Sequence, residues 1–483
     1  MSVHAQSGAP TPVISLVPAR MDRLPWTKFH WSVVIGLGVS WILDGLEIQL
    51  VSAGGFATEF KMTATEVGFT ATIYLIGQIC GALVFGRMTD TLGRKRLFIL
   101  TLAIYLAGSG LAGLSVDSWM LWIFRFIAGM GIGGEYTAIN SAIDELIPSR
   151  YRGRVDIAVN GTYWGGAALG AVATIATQNL FSDNWAWRIG FFIGPVLGLI
   201  IIYLRRHIPE SPRWLLTHGR AEEAESTVDG IEAGIRADGV QLPPVPQEKA
   251  MAVVDHPPVP FRQLVHVFIV QYPKRTILGL TMMVTQSFLY NAIFFSQGSV
   301  LKGFYGISEA NVGYFFFPFA IGNLAGPLVL GHFFDTIGRR KMIFSTYLIA
   351  GLVLVLSAIL FQADLLTATT QTILWCVSFF FASAGASSAY LTVSEIFPLE
   401  VRGQAISYFF CVAQGAGALA PVIYGALMGD FSSRGPLTVG FLIGAGIMII
   451  GGIVALAIGI NAEGQSLEDV ADPLSKVDLP SQA

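Results

Sequence analysis

The chain has 483 residues, of which 53% are hydrophobic and only 13% charged, and its mean hydropathy is +0.62. That composition excludes a soluble globular protein and points to a polytopic membrane protein. The formal net charge of −3 excludes little by itself, because the placement of charge along the chain carries the information.

Residues 1–28, with Pro10, Pro12 and Pro18, offer neither a short apolar core behind cations nor a small-residue cleavage site, and read as a cytoplasmic tail. Apolar windows of about 20 residues, long enough to cross the hydrocarbon, follow near 31–56, 66–88, 97–115, 118–143, 155–181 and 186–205. The polar stretch 207–270 holds the helix-like RAEEAESTVDGIEAGI and a Pro-rich run from Leu242 to Phe261, and reads as a cytoplasmic linker. Six more windows lie near 275–302, 309–334, 342–362, 369–395, 404–429 and 436–460, and residues 462–483 form a second cytoplasmic tail. The expected fold is an all-α membrane protein of 12 transmembrane helices, with six-helix bundles over 29–206 and 271–461. Cys80, Cys376 and Cys411 all fall inside apolar windows, which excludes a disulfide framework and any C-x-x-C metal or redox motif.

Cations set the orientation, since cytoplasmic loops carry the excess of Lys and Arg. Arg20, Arg23 and Lys28 precede the first window, and Arg94, Lys95 and Arg96 follow the second. Further groups follow the fourth (Arg150, Arg152, Arg154), the sixth (Arg205, Arg206, Arg213), the eighth (Arg339, Arg340, Lys341) and the tenth (Arg402). Both termini are therefore expected inside. Two of these loops are also duplicated. GRMTDTLGRKR at Gly86–Arg96 returns as GHFFDTIGRRK at Gly331–Lys341, with offset 335 − 90 = 245, and Glu145–Gly153 returns as Glu395–Gly403, with offset 395 − 145 = 250. Two motifs repeated at nearly one spacing mark two related halves, a recurring plan of secondary transporters.

GRMTDTLGRKR and its copy resemble the signature loop of the major facilitator superfamily, and RFIAGMGIGG at Arg125–Gly134 is similar to that superfamily's fourth-helix motif. PESPRWLLTHGRAEEA and SEIFPLEVRGQA resemble segments of its sugar-porter branch and the organic-ion relatives of that branch. The match to hexose carriers is incomplete: the seventh window reads TQSFLYN, keeping Gln286 and Asn291 but placing Thr285 and Leu289 where those carriers have Gln and Gly. LDGLE in the first window instead resembles the acidic pair of aromatic-acid and related metabolite:proton symporters, and the GGE at Gly133–Glu135 is similar to a segment of those organic-ion relatives. The resemblance implies alternating access by a transporter of the metabolite:proton symporter kind.

Charges within a membrane span cost about 2.5–3.5 kcal/mol on insertion scales and are expected to face a cavity or a partner. Asp44, Glu47, Arg125 and Glu135 are such charges. Asp44 and Glu47 share a helical face. At about 1.5 Å per residue, Glu47 and Arg125 reach similar depth. Glu47, with Asp44 the competing choice, is expected to take up the coupling proton and Arg125 to hold the carboxylate ionised; the alternative is a fixed structural ion pair. Glu135, toward the cytoplasmic half, is either a substrate or gate contact or a hydrogen bond to a neighbouring helix.

The expected substrate wall adds Asn160, Tyr163, Trp164, Gln286, Tyr290, Asn291, Asn323, Tyr390 and Gln414, each of which could equally bond helix to helix. At the inner helix ends, Asp90, Arg94, Glu145, Arg152, Asp335, Arg339, Glu395 and Arg402 suit a latch of guanidinium–carboxylate pairs that forms when the cytoplasmic side closes. The rival reading makes those cations topology signals only.

The expected function is proton-coupled symport of a small organic solute, an organic acid or related metabolite, across a bacterial inner membrane. The alternatives are an uncoupled facilitator or sugar transporter, a proton-exchanging exporter and a transporter-like sensor. No P-loop and no metal-ligand cluster is present in the sequence, so neither an ATP-driven pump nor an enzyme is expected. Nothing calls for a cofactor or nucleic acid; the expected partners are the solute, protons and the bilayer, and the expected working unit is a monomer.

Overall fold

The computed structural model describes residues 13–53, 55–92, 94–205, 209–217, 219–247, 251–253, 261–397 and 399–460. The first half contains α1 (Val17–Asp22), α2 (Lys28–Ala53), α3 (Phe56–Glu59), α4 (Ala64–Leu92), α5 (Arg94–Gly113), α6 (Ser118–Leu146), α7 (Ser149–Leu180) and α8 (Asp183–Arg205). The linker supplies α9 (Pro212–Thr217), α10 (Ala221–Ala237) and α11 (Phe261–His266). The second half contains α12 (Pro273–Tyr305), α13 (Glu309–Thr336), α14 (Arg339–Gln362), α15 (Ala368–Ile396), α16 (Leu399–Met428) and α17 (Gly435–Ile458). The long helices α2, α4–α8 and α12–α17 are the twelve transmembrane helices. Among the described residues, nine of them are long and apolar enough to cross a membrane by composition alone.

The internal repeat is visible in the packing. In the first half α2 lies on α7, α4 on α6 and α5 on α8; in the second, α12 lies on α16, α13 on α15 and α14 on α17. Glycine makes the first set possible. A Cβ at Gly129 would stand 2.1 Å from the Tyr74 carbonyl oxygen, and one at Gly133 1.9 Å from that of Gln78, so α4 and α6 touch backbone to backbone.

The halves meet along two seams, α4 with α16 and α7 with α13. At the end of the bundle remote from the linker these seams are shut. A Cβ at Gly68 would come to 2.2 Å from the Pro421 oxygen, one at Gly425 to 2.5 Å from that of Ala64, and one at Gly313 to 2.8 Å from that of Ala171. The Thr58 hydroxyl donates across the same end to Glu309 Oε1 at 2.7 Å, an oxygen that also receives Lys302 Nζ at 3.1 Å.

At the linker end the structure adds what the sequence did not suggest. A short ribbon, β1 (Val13–Ser15) antiparallel to β2 (Met251–Val253), joins the N-terminal segment to the linker. Val17, Met21 and Leu24 then pack in one core with Trp214, Leu215, Val228 and Ile235 of α9 and α10. The stretch expected to be helix-like is α10, and its acidic face binds the tail. Arg20 pairs with Glu225 and Asp229 at 2.6 Å each and with Glu232 at 2.9 Å, Arg23 reaches Glu232 at 2.5 Å, and Asp22 pairs with Arg213 at 2.9 Å. Burial would raise the Glu232 carboxyl, but hydrogen bonds from Arg20 and Arg23 outweigh it and bring the group down to about 2.

Candidate functional site

The intramembrane charges sort into two environments on α2. Glu47 is 1% exposed and pairs with Arg125 of α6, which is fully buried. The guanidinium carbon of Arg125 lies 3.9 Å from the centre of the Tyr74 ring and 5.7 Å from that of Phe191. Glu47 Oε2 and Arg125 Nε and Nη2 have no hydrogen-bond partner. Asp44, one turn away, accepts from the Tyr74 hydroxyl at 2.7 Å through Oδ1 and from the Tyr136 hydroxyl through Oδ2. Tyr74 therefore separates the ion pair from Asp44. The shared helical face read from sequence is real, but one aromatic ring divides it into a charged pair locked in packing and a carboxylate at a pocket.

That small pocket is lined by Ser40, Trp41, Asp44, Ile132, Glu135, Tyr136 and Ile139. Glu135 and Asp44 thus share one pocket. The sequence had set Glu135 apart by its depth on α6; Asp44 lies one turn nearer the linker end of α2 than Glu47, and this brings the two carboxylates together.

An aromatic ladder leads from the pocket into the second half. Trp41 lies 4.4 Å from Tyr136 and 6.4 Å from Tyr163, Tyr163 5.0 Å from Trp164, Trp164 5.6 Å from Tyr290 across the halves, and Tyr290 4.9 Å from Phe379. Tyr290 donates to Asn323 Oδ1 at 2.9 Å, and the Asn323 amide nitrogen donates to the Phe319 carbonyl at 2.9 Å.

A second polar chain crosses the halves beside the ladder. Gln414 Oε1 accepts from the Ser287 hydroxyl at 2.7 Å, while its nitrogen donates to Gln78 Oε1 at 2.7 Å. Asn291 Nδ2 donates to the Ser287 carbonyl at 2.8 Å. Gln286 is 5% exposed with neither amide atom hydrogen-bonded, Asn160 is half-buried on α7, and Tyr390 on α15 is 42% exposed.

Trp41, Tyr74, Tyr136, Gln78 and Ser287 were missed by sequence reading. Gln78 had the same signal as Gln414, an amide in an apolar span; Tyr74 and Tyr136 are distinguished only by which carboxylate they reach. Of the expected latch, Arg339 is buried at the start of α14. The side chains of Asp90, Arg94, Glu145, Arg152, Asp335, Glu395 and Arg402 lie outside the described residues.

The family described as "Sugar (and other) transporter" matches residues 45–473. The chain is a member of that family. It is a multi-pass membrane transporter of the major facilitator superfamily and not an enzyme. The transporter is 32% identical over 480 residues to YdjK of Escherichia coli (strain K12), covering 94% of this chain and 96% of that protein, whose name as a metabolite transport protein is itself provisional. It is 25% identical over 460 residues to the niacin transporter NiaP of Acinetobacter baylyi, covering 94% and 99%. In fold, the transporter is similar to the xylose transporter XylE from E. coli in a partially occluded inward open conformation, with TM-score 0.72, 17% identity and coverage of 91% and 100%. A D-xylose-proton symporter structure gives TM-score 0.68 at 17% identity, covering 91% and 100%.

Proposed function

We propose that the transporter couples the uptake of a small organic solute, an organic acid or related metabolite, to a proton carried at the Asp44 pocket. The observation that carries this reading is the placement of Asp44 and Glu135 around one small pocket walled by Trp41 and Tyr136, with Arg125 committed to Glu47 beyond Tyr74. Two carboxylates at one site repel each other and any anion. A proton bound there removes the repulsion between the two carboxylates, halves the charge facing an anion and turns a carboxyl into a hydrogen-bond donor, so an anionic solute binds with the proton or binds poorly.

Asp44 is the better proton carrier than Glu47 because it faces the pocket, whereas Glu47 holds a buried cation whose exposure without a partner would be costly. The ladder from Trp41 to Tyr290 then supplies apolar faces, and Asn291, Asn323 and Gln414 supply polar contacts from the second half. The latch of eight inner charges is part of the same proposal, with the linker end in the cytoplasm of a bacterium, as the bacterial relatives support, and a monomer as the working unit.

Counterflow in proteoliposomes against a panel of organic acids, sugars and organic cations, with internal pH recorded, tests this. Asp44→Asn should abolish accumulation against a gradient while preserving counterflow. Sugar uptake without proton movement, or full accumulation by Asp44→Asn, defeats the reading.

A further inference from the structure

A third repeat lies at the far end of the last helix of each half. Arg188 stands in the second turn of α8 and Arg434 caps the start of α17, at an offset of 434 − 188 = 246, between the 245 and 250 of the duplicated loops. Each arginine gathers the far ends of the helices around it. Arg188 Nη1 donates to the carbonyls of Gly113 and Ser115, at the end of α5, at 3.1 and 2.7 Å, and Nη2 pairs at 2.5 Å with Glu59 of α3, the short helix that follows α2. The neighbouring Trp187 Nε1 donates to the other Glu59 oxygen at 2.8 Å. Arg434 pairs with Asp364, just past α14, at 2.7 Å. Its guanidinium carbon lies 4.7 Å from the centre of the Phe361 ring of α14, and 5.6 and 5.2 Å from those of Phe304 and Tyr305 at the end of α12. A planar guanidinium, with five donors and a face that stacks on rings, holds several groups at once.

The segments so held carry the contact between the halves. Glu59 is preceded by Thr58, whose hydroxyl donates to Glu309 Oε1 at 2.7 Å. Tyr305 ends α12, Gly306 turns the chain at φ 66°, and Glu309 opens α13. Lys302, three residues before Tyr305, reaches the same Glu309 oxygen at 3.1 Å. Donor and acceptor of the bridge therefore stand on two short segments, each fastened to its own half by an equivalent arginine.

We propose that Arg188 and Arg434 are paired positioning residues of the transport cycle, which pre-set Thr58 and Glu309 so that the far end latches through their hydrogen bond. With both segments fastened in advance, the latch forms and breaks without reordering either side, and closure loses little conformational freedom. This rests on the transporter fold and not on the solute or the proton site, so its failure leaves the Asp44 reading untouched, and the reverse also holds.

The test is a double-mutant cycle read by hydrogen–deuterium exchange at 64–72 and 310–316 in the purified transporter. Thr58→Val removes the latch donor and should raise exchange about fivefold, the scale of one net hydrogen bond. Arg188→Gln and Arg434→Gln should each raise it by a similar factor, and neither should raise it further once Thr58→Val is present. Arg188→Lys and Arg434→Lys keep the charge but lose the fork; they should act in the same direction by less, and they carry the cycle if a Gln variant does not fold. An arginine that only stabilises its own half would raise exchange by the same factor with or without Thr58→Val. Full additivity therefore overturns the proposal, as does unchanged far-end exchange in Thr58→Val or in the arginine variants.

Discussion

Tyr74 is hydrogen-bonded to Asp44 at 2.7 Å, and the same ring carries the Arg125 guanidinium 3.9 Å from its centre. One side chain thus serves both the pocket carboxylate and the buried ion pair, and it isolates each from the other. The two functions can be removed separately.

Tyr74→Phe keeps the ring beneath Arg125 and deletes the hydroxyl, so it should lower proton-driven uptake while leaving the protein folded. A hydrogen bond to a charged group contributes about 1.5–3 kcal/mol, and uptake should drop by about tenfold or more. Tyr74→Leu also removes the cation–π contact, worth about 2 kcal/mol when desolvated, and should lower the unfolding temperature as well. Equal stability of the two variants would show that the ring does not support Arg125.

Breaking the Glu47–Arg125 pair from one side leaves a buried charge alone, a loss of about 3–5 kcal/mol. Arg125→Met and Glu47→Leu should each reduce folded yield sharply, and the double variant should recover most of it. If Glu47 is not the proton carrier, the double variant still accumulates solute against a gradient, at a reduced rate, in proteoliposomes. Loss of accumulation with folding intact would return the proton to Glu47.

Two glycines with similar crowding should fail in different ways. Gly133→Ala would force a Cβ to 1.9 Å from the Gln78 oxygen inside the first half, and overpacking of this kind costs about 1–3 kcal/mol. Gly68→Ala would place a Cβ 2.2 Å from the Pro421 oxygen, but across a seam that can stay apart. Gel filtration should show poor recovery of Gly133→Ala and normal recovery of Gly68→Ala, while far-end hydrogen exchange should rise in Gly68→Ala and its transport should slow.

The clamp between tail and linker should be acid-sensitive. Glu232 is held at about 2, below its ordinary value of 4.5, by Arg20 and Arg23. A depressed carboxylate contributes stability that is present above the unfolded value and lost as pH falls through the folded one. Trypsin cleavage after Arg20 and Arg23 should therefore be slow at pH 7, and acid-induced release of the tail should appear only between about 4.5 and 2, followed by exchange at 17–22. Glu232→Gln should free the Arg23 site at pH 7, while Arg20 keeps its pairs with Glu225 and Asp229; continued protection at Arg23 would mean that the apolar contacts of Met21 and Leu24 suffice.

The twelve helices, their two halves and the depth match of Glu47 with Arg125 were legible in the sequence, because hydropathy windows, duplicated loops and helical rise are local or periodic properties. The split between Asp44 and Glu47 was not, since it depends on where a tyrosine on α4 projects between α2 and α6. Nor was the shared pocket of Asp44 and Glu135, which comes from the relative axial placement of two helices. The joining of tail to linker escaped as well: Arg20 and Arg23 look like topology signals until the acidic face of α10 is placed opposite them.

Backbone meets backbone where Gly68 faces Pro421 and Gly425 faces Ala64. Closing such contacts removes little apolar side-chain surface from its surroundings, and heat-capacity change follows apolar burial. The free energy between the open and closed far end should therefore vary almost linearly with temperature, so that one enthalpy describes the exchange in a cold cell and in a warm one.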